Sequence, residues 1–208
     1  MYVFWDSDNT LINTAEHHWR KHFEILKSIN IHLDEKHRNA IYTHNGIQNH
    51  EWLTRDLGLT MSQSEYLDRI DQWYFEHIHE IQIRSGVLQA IELFKNNDIP
   101  QAVVSNGRKK SVMAAQNAKG LTPNFEFILC KEDYEGRKPD PEPYFHALQK
   151  MNIIKGTNTP PTQCLAIEDD PKGVQSAIAA DMQIIDRPVD DDNTEDFLEK
   201  CKNYLGQI

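Results

Sequence analysis

The stretch Tyr2-Val3-Phe4-Trp5-Asp6-Ser7-Asp8-Asn9-Thr10 sets four bulky apolar residues directly against a cluster of short polar ones. A short apolar run that breaks into polar residues reads as a buried β-strand. Side chains two apart in extended backbone point the same way, so Asp6 and Asp8 can face one site. In open parallel sheets, ligand sites lie beyond the carboxyl ends of the strands, where this pair falls. Two carboxylates so close repel unless a cation joins them, and hard oxygen ligands suit Mg²⁺. A lone Asp-x-Asp also arises by chance in an acidic chain, so the rest of the sequence has to decide.

Four further runs have the same character: Ala102–Val104, Phe125–Cys130, Cys164–Ile167 and Gln183–Ile185. Between them lie helical stripes, with apolar residues at Val87, Ile91 and Phe94, at Val112, Ala115 and Ala118, and at Tyr144, Ala147, Leu148 and Met151. Strands alternating with helices predict an α/β fold, a doubly wound parallel sheet of Rossmann-like form. The alternation is interrupted once. From about Ala15 to Ile83 no strand is evident, only helical stripes such as Trp19, Phe23, Ile25 and Leu26, then Trp52, Leu53 and Leu57, then Leu67, Ile70, Trp73 and Tyr74. Nine of the ten His residues fall between His17 and His79, which marks the segment as compositionally separate. The reading is an α/β core of residues 1–14 and 85–208 with an inserted all-helical domain at 15–84. Hinges are expected near Asn13–Ala15 and Arg84–Gly86. No His-Glu-x-x-His pair supports zinc, and most of the His side chains are expected on solvated helix faces.

The composition narrows the function. Of 208 residues, 22 are basic and 32 acidic, a net charge of −10. A phosphate-tracking nucleic-acid binder would carry a basic face instead. A hydrophobic content of 39% is enough for a core and excludes a disordered class. No apolar run approaches the roughly 20 residues of a membrane helix, and the mean hydropathy of −0.65 agrees. The start lacks the basic and apolar regions of a signal peptide. Cys130, Cys164 and Cys201 suggest neither a disulfide framework nor a zinc site. The expectation is a soluble cytoplasmic protein, monomeric or weakly dimeric, without nucleic-acid or membrane partners. An anionic substrate then needs a metal ion or a few placed cations.

Three other strand ends carry chemistry. Ala102–Val104 runs into Ser105-Asn106-Gly107 and a helix beginning near Arg108, a hydroxyl, an amide and backbone N–H groups suited to a phosphate. Lys138 sits in Arg137-Lys138-Pro139-Asp140-Pro141, where the following proline stiffens its backbone. Asp140 is placed to cap the next helix, with Pro141 at its first position. A lysine so held can offset charge on a phosphoryl group in transfer. Finally, Cys164–Ile167 leads into Glu168-Asp169-Asp170-Pro171 and then Gly173-Val174, where acids at a strand end again suit a hard metal.

Each signal alone is also met by a helix cap, a surface lysine or an acid favoured by a helix dipole. Their order along one sheet edge resembles the haloacid dehalogenase superfamily, with its DxDxT, Ser/Thr, Lys and acidic-pair motifs. The helical insert is similar to the cap of the phosphoglycolate phosphatase and β-phosphoglucomutase group. The resemblance covers essentially the whole chain. It implies that Asp6 is the nucleophile of an aspartyl-phosphate route and that Asp8 is the general acid and base. It also implies Mg²⁺ held by Asp6, the main-chain carbonyl of Asp8 and Asp169, with Glu168 more remote. Ser105 and Lys138 would bind phosphoryl oxygens with help from Asn106, and Thr10 would steady the loop. His18, Gly46 and Asn49 match cap positions that meet substrate.

Two departures are mild. Asn9 stands where many members have Gly, and Asn tolerates left-handed backbone. Ala180-Asp181 replaces a common Ala-Gly and touches only a helix end. The resemblance leaves several activities to weigh. A dehalogenase lacks the second aspartate, so Asp8 favours phosphoryl transfer. A β-phosphoglucomutase-like phosphosugar mutase would have Arg at position 49 to grip a second phosphate, and neutral Asn49 lacks that charge-assisted clamp. An inactive Mg²⁺-binding regulatory module would not need every catalytic side chain. The expectation is a Mg²⁺-dependent phosphatase acting on a small phosphorylated metabolite, of the sugar phosphate, phosphoglycolate or nucleotide class.

Overall fold

The computed structural model describes residues 1–206. The chain falls into two compact units, Met1–Asn13 with Gln82–Ile208, and Thr14–Ile81.

The first unit is built on β1 (Tyr2–Trp5), the middle strand of a five-stranded parallel sheet. On one side of it lies β4 (Gln101–Val104) and then β5 (Ile128–Leu129); on the other lie β6 (Cys164–Glu168) and β7 (Gln183–Asp186). Phe4 stands opposite Ala102 on one neighbour and Ala166 on the other. All four residues of β1 are buried because both faces of the sheet are covered. Alternation sends Tyr2 and Phe4 into one core, with Val104, Leu129, Tyr144, Ala147 and Met151. Trp5 points the other way, edge-on to Phe94 and Phe197. Its indole N–H donates to Gln101 Oε1 at 3.0 Å, which removes the cost of burying that donor.

Helices α5 (Val87–Lys95), α6 (Lys109–Ala118), α7 (Glu142–Lys155), α8 (Pro171–Ala179) and α9 (Thr194–Leu205) complete the unit. Three details depart from expectation. The run Phe125–Cys130 forms only a two-residue strand, because it is preceded by a 3₁₀ turn over Thr122–Asn124 and lies at the sheet edge. On α6, Gln116 rather than Ala118 is buried, since its Nε2 donates to Ser7 Oγ at 2.9 Å. At α7 the N-cap is Pro141 with no side-chain cap; the Asp140 carbonyl instead accepts from Ser176 Oγ at 2.5 Å. Asn9 and Asp181 do hold left-handed backbone, with φ of 59° and 61°.

The second unit contains α1 (Ala15–Lys27), α2 (Arg38–Thr43), α3 (Gly46–Leu57) and α4 (Gln63–Glu76). Asn45 caps α3 by accepting from Ile47 N and Gln48 N, and Ser62 caps α4. Gly46 permits α3 to approach α4, because a β-carbon there would stand 2.7 Å from Leu67 Cδ2. The expected interval of 15–84 is too long at its end. Gln82–Ile83 form a short strand, β3, paired antiparallel with β2 (Ile12–Asn13), and this ribbon belongs to the first unit. Gly86 is likewise no crossing point: at φ 77° it precedes α5, and a β-carbon there would press on Thr194 and Phe197 at 3.0 and 3.2 Å.

The expectation of solvated histidines also needs correcting. Only His32 and His79 of the nine are exposed. His17 and His77 pack on Trp73, His18 on Tyr74, His22 and His50 on Tyr66, and His37 and His44 on Trp52. Imidazoles at helical spacing complete an aromatic core here rather than facing water. Burial holds His17 down to about 4, and His22, whose Nδ1 lies 2.6 Å from Tyr66 Oη, well below its ordinary value.

Candidate active site

Asp6 leaves the end of β1 with its N–H still bonded to Ile167 O at 3.0 Å, so the next strand fixes its height. The backbone then turns back at once. Asn9 N donates to Ile12 O at 2.7 Å and Leu11 N to Ser7 O at 3.0 Å, which closes a tight loop carrying Asp8. Thr10, expected to steady this loop, joins it to the end of β6: its Oγ1 donates to Asp169 Oδ1 at 2.9 Å.

Lys138 lies at the centre of the cluster. Its buried Nζ donates to Asp6 Oδ1 at 2.7 Å, Glu168 Oε1 at 2.6 Å and Val104 O at 2.7 Å. The ammonium thus meets three acceptors, matching its three donors. Tyr144 Oη also donates to Glu168 Oε1, and the ammonium stands 5.1 Å from the Tyr144 ring centre. Tyr144 read in the sequence as a core position only. The period of its helix stripe is correct, but its hydroxyl reaches a partner 24 residues away that no local pattern marks.

Asn106 lines the cleft beside Lys138. Its Oδ1 accepts from Lys138 N at 3.1 Å and its Nδ2 donates to Lys138 O at 3.2 Å, so it clasps the lysine loop, whose Lys138–Pro139 bond is cis. Ser105 Oγ accepts from Gly107 N at 3.0 Å and borders the same cleft. Of the acids after β6, Asp170 caps α8 by accepting from Lys172 N at 2.8 Å, while Glu168 and Asp169 face Asp6. Gly173 makes room for this, since a β-carbon there would stand within 2.5 Å of the Glu168 carboxylate. A cleft of about 160 Å³ is lined by Asp6, Asp8, Ser105, Lys138, Asp169 and Lys172, among others. Lys172 carried no motif in the sequence.

The candidates Asn49, Gly46 and His18 belong to the second unit. Asn49 is 1% exposed, and its Nδ2 donates to Ile41 O at 3.1 Å and His44 O at 3.3 Å. Its amide nitrogen therefore ties α2 to the start of α3. Gly46 serves the packing of α3 on α4. His18 stacks on Tyr74, with its Nδ1 3.0 Å from Lys21 Nζ.

Two buried carboxylates on one ammonium, with the half-buried Asp169 beside them, are costly in charge. Burial pushes Asp6 up to about 6 against the pull of Lys138, Glu168 up to about 8 against the same pull, and Asp169 up to about 7, with Asp6 adding repulsion. One oxygen from each of Asp6, Glu168 and Asp169 lies within 4.8 Å of the other two. This all-oxygen donor set fits Mg²⁺. One oxygen of each acid already accepts a hydrogen bond: Asp6 Oδ1 from Lys138, Glu168 Oε1 from Lys138 and Tyr144, and Asp169 Oδ1 from Thr10.

Residues 3–186 match the haloacid dehalogenase-like hydrolases. The chain belongs to this family. Among the relatives of this hydrolase, the CbbY protein of Rhodobacter capsulatus is 27% identical over 206 residues, covering 94% of this chain and 88% of CbbY. The 6-phosphogluconate phosphatase of Escherichia coli is 24% identical over 190 residues, covering 88% and 80%. Among solved structures, a Thermotoga maritima protein assigned as a β-phosphoglucomutase superposes with a TM-score of 0.82 over the full length of both chains, at 19% identity. That likeness shows the fold. Among the described residues of this hydrolase, no helix is long and apolar enough to cross a membrane.

Proposed function

We propose that this hydrolase is a Mg²⁺-dependent phosphatase that cleaves a small phosphomonoester through an aspartyl-phosphate on Asp6. The observation that carries the reading is the buried Lys138 ammonium bonded at once to Asp6 and Glu168, with Asp8 on the adjoining turn. Mg²⁺ at Asp6 and Asp169, with the Asp8 main-chain carbonyl, would offset charge on the phosphate and the carboxylates together. Lys138 orients the Asp6 carboxylate for attack and offers its cation to the phosphoryl oxygens, joined by the Ser105 hydroxyl. Asp8 protonates the departing oxygen and then takes a proton from the water that cleaves the acyl phosphate.

Transfer to water, rather than to a second sugar hydroxyl, is supported by position 49. Asn49 brings no cation, and its amide is committed within the cap. A retained bisphosphate intermediate would lose charge-assisted contacts of about 1.5–3 kcal/mol each. The test is phosphate release from a panel of sugar phosphates, phosphoglycolate and nucleotides, with Mg²⁺ and with EDTA. A parallel arm supplies β-glucose 1-phosphate with catalytic glucose 1,6-bisphosphate. Release that requires Mg²⁺ supports the proposal. Efficient isomerisation with little free phosphate would replace it with a mutase, and no turnover on any substrate would leave the inactive module.

A further inference from the structure

The turn that carries Asp8 is closed internally by main-chain hydrogen bonds, but one of its carbonyls is held from outside. Arg84, which follows β3, is 2% exposed. Its Nη1 donates to Asn9 O at 2.6 Å and Arg187 O at 2.8 Å, and its Nη2 to Pro188 O at 2.7 Å and Asp191 O at 2.8 Å. All four Nη hydrogens thus meet main-chain oxygens. Its own N–H donates to Leu11 O at 3.0 Å, so Arg84 grips both limbs of the Asn9–Leu11 segment. Burying a guanidinium against carbonyls is expensive unless the geometry is used: Asp169, Asp190, Asp191 and Asp192 offset its charge only in part, and burial outweighs them.

What it fastens is specific. Asn9 sits at φ 59°, one residue after Asp8 and one before Thr10, whose hydroxyl orients Asp169. Arg187 adds a second tie, its Nη2 donating to Ser85 O at 2.7 Å while its guanidinium lies 4.2 Å from the Phe197 ring centre. The Asp8 turn, the β3 exit and the 187–191 loop therefore share one buried cation.

We infer that Arg84 is a positioning residue of the reaction, a latch that holds the Asn9 carbonyl and through it the orientations of Asp8 and Asp169. The inference rests on the phosphatase reading proposed above. Only a planar fork with two NH₂ groups can serve four carbonyls; a lysine, with a single ammonium, reaches fewer.

The experiment compares wild type, Arg84→Lys and Arg84→Ala in Mg²⁺-supported hydrolysis of p-nitrophenyl phosphate, with melting temperature read in parallel. The expected result is a kcat at least tenfold lower in both variants, with KM within threefold of wild type. Guanidinium chloride in the tens of millimolar should restore the kcat of Arg84→Ala at least fivefold, while equal ionic strength from KCl does not. A folded Arg84→Lys protein with kcat within twofold of wild type overturns the inference. So does a loss in Arg84→Ala that guanidinium leaves unrepaired. If Arg84→Ala does not fold, the Arg84→Lys comparison decides alone. Failure of wild type to turn over any phosphomonoester would instead reject the phosphatase reading.

Discussion

Replacing Gly173 by alanine sets two known effects against each other. Gly173 lies inside α8, and an alanine in a helix interior is favoured over glycine by about 1 kcal/mol. Against this, the new β-carbon would stand within 2.5 Å of Glu168 Oε1, where a carbon–oxygen contact settles at about 3.3 Å or more. Oε2 is closer still, at 2.0 Å, so the Glu168 carboxylate must retreat by about 1.3 Å, and it is pinned by Lys138 at 2.6 Å and by Tyr144. That retreat stretches the ion pair beyond hydrogen-bond reach. Breaking a buried pair costs about 3–5 kcal/mol, and the low end applies because Lys138 keeps Asp6 and Val104. The net is about 2 kcal/mol of destabilisation, or roughly 4–8 °C in melting temperature for a chain of this size. Gly206→Ala is the control, since a β-carbon there meets nothing closer than 3.6 Å and should change stability by less than about 0.5 kcal/mol. Thermal melts of both variants, with phosphate release measured alongside, decide the matter. A Gly173→Ala protein as stable as wild type, or more so, would refute the reasoning, because propensity would then have outweighed the displaced carboxylate.

Asp6→Asn should leave the fold intact by circular dichroism and abolish turnover, since the amide is isosteric but not nucleophilic; retention of more than a few per cent of the phosphate release contradicts the covalent route. Lys138→Met strips the ammonium from two buried carboxylates and should cost about 3–5 kcal/mol at pH 7.5, seen as an earlier denaturant midpoint. That deficit should shrink towards pH 5, where Asp6 and Glu168 can be neutral. The metal-free protein should lose stability as pH rises from about 4 to 8. Asp6, Glu168 and Asp169 hold protons to about 6, 8 and 7, above their unfolded values, so the folded state binds more protons across that window and gives them up at a cost. Mg²⁺ competes with those protons, so the thermal shift it produces should be larger at pH 8 than at pH 5.5; an equal or smaller shift at pH 8 rules the acids out as its ligands.

The parts of this protein that sequence revealed are those whose cause lies within a few residues. Tyr2–Trp5 announced a doubly covered strand because four consecutive bulky residues can be buried only between two layers. Asp6, Ser105 and Asp169 were legible as sheet-edge positions because each directly follows a buried strand, Asp8 because it shares the side of Asp6, and Lys138 because the proline after it marks a stiff loop. The main-chain partners of Asn106 and Asn49 were hidden for the opposite reason. An amide carries no sign of whether its partner is a ligand or a carbonyl, and here both partners are main chain, 32 residues away for Asn106 and 5–8 for Asn49. Arg84 was read only as part of a hinge, since its Arg187, Pro188 and Asp191 acceptors lie more than 100 residues onward.

Charge explains why the acids in particular had to be visible. With Lys138 protonated and Asp6, Glu168 and Asp169 ionised, the cluster carries a net charge of −2, and burial first, then repulsion from neighbouring acids, raises all three. Protons can relieve that charge at low pH, but each one neutralises an oxygen that the chemistry needs. A divalent cation relieves it at neutral pH and leaves every oxygen a donor. Replacing Asp169, which is outside the Lys138 ion pairs, by an apolar residue would remove one of the repelling charges and stabilise the metal-free fold at pH 8, yet leave the ion under-supported. The surplus of buried carboxylate over buried ammonium is thus better understood as a site tuned for a cation than as one tuned for stability.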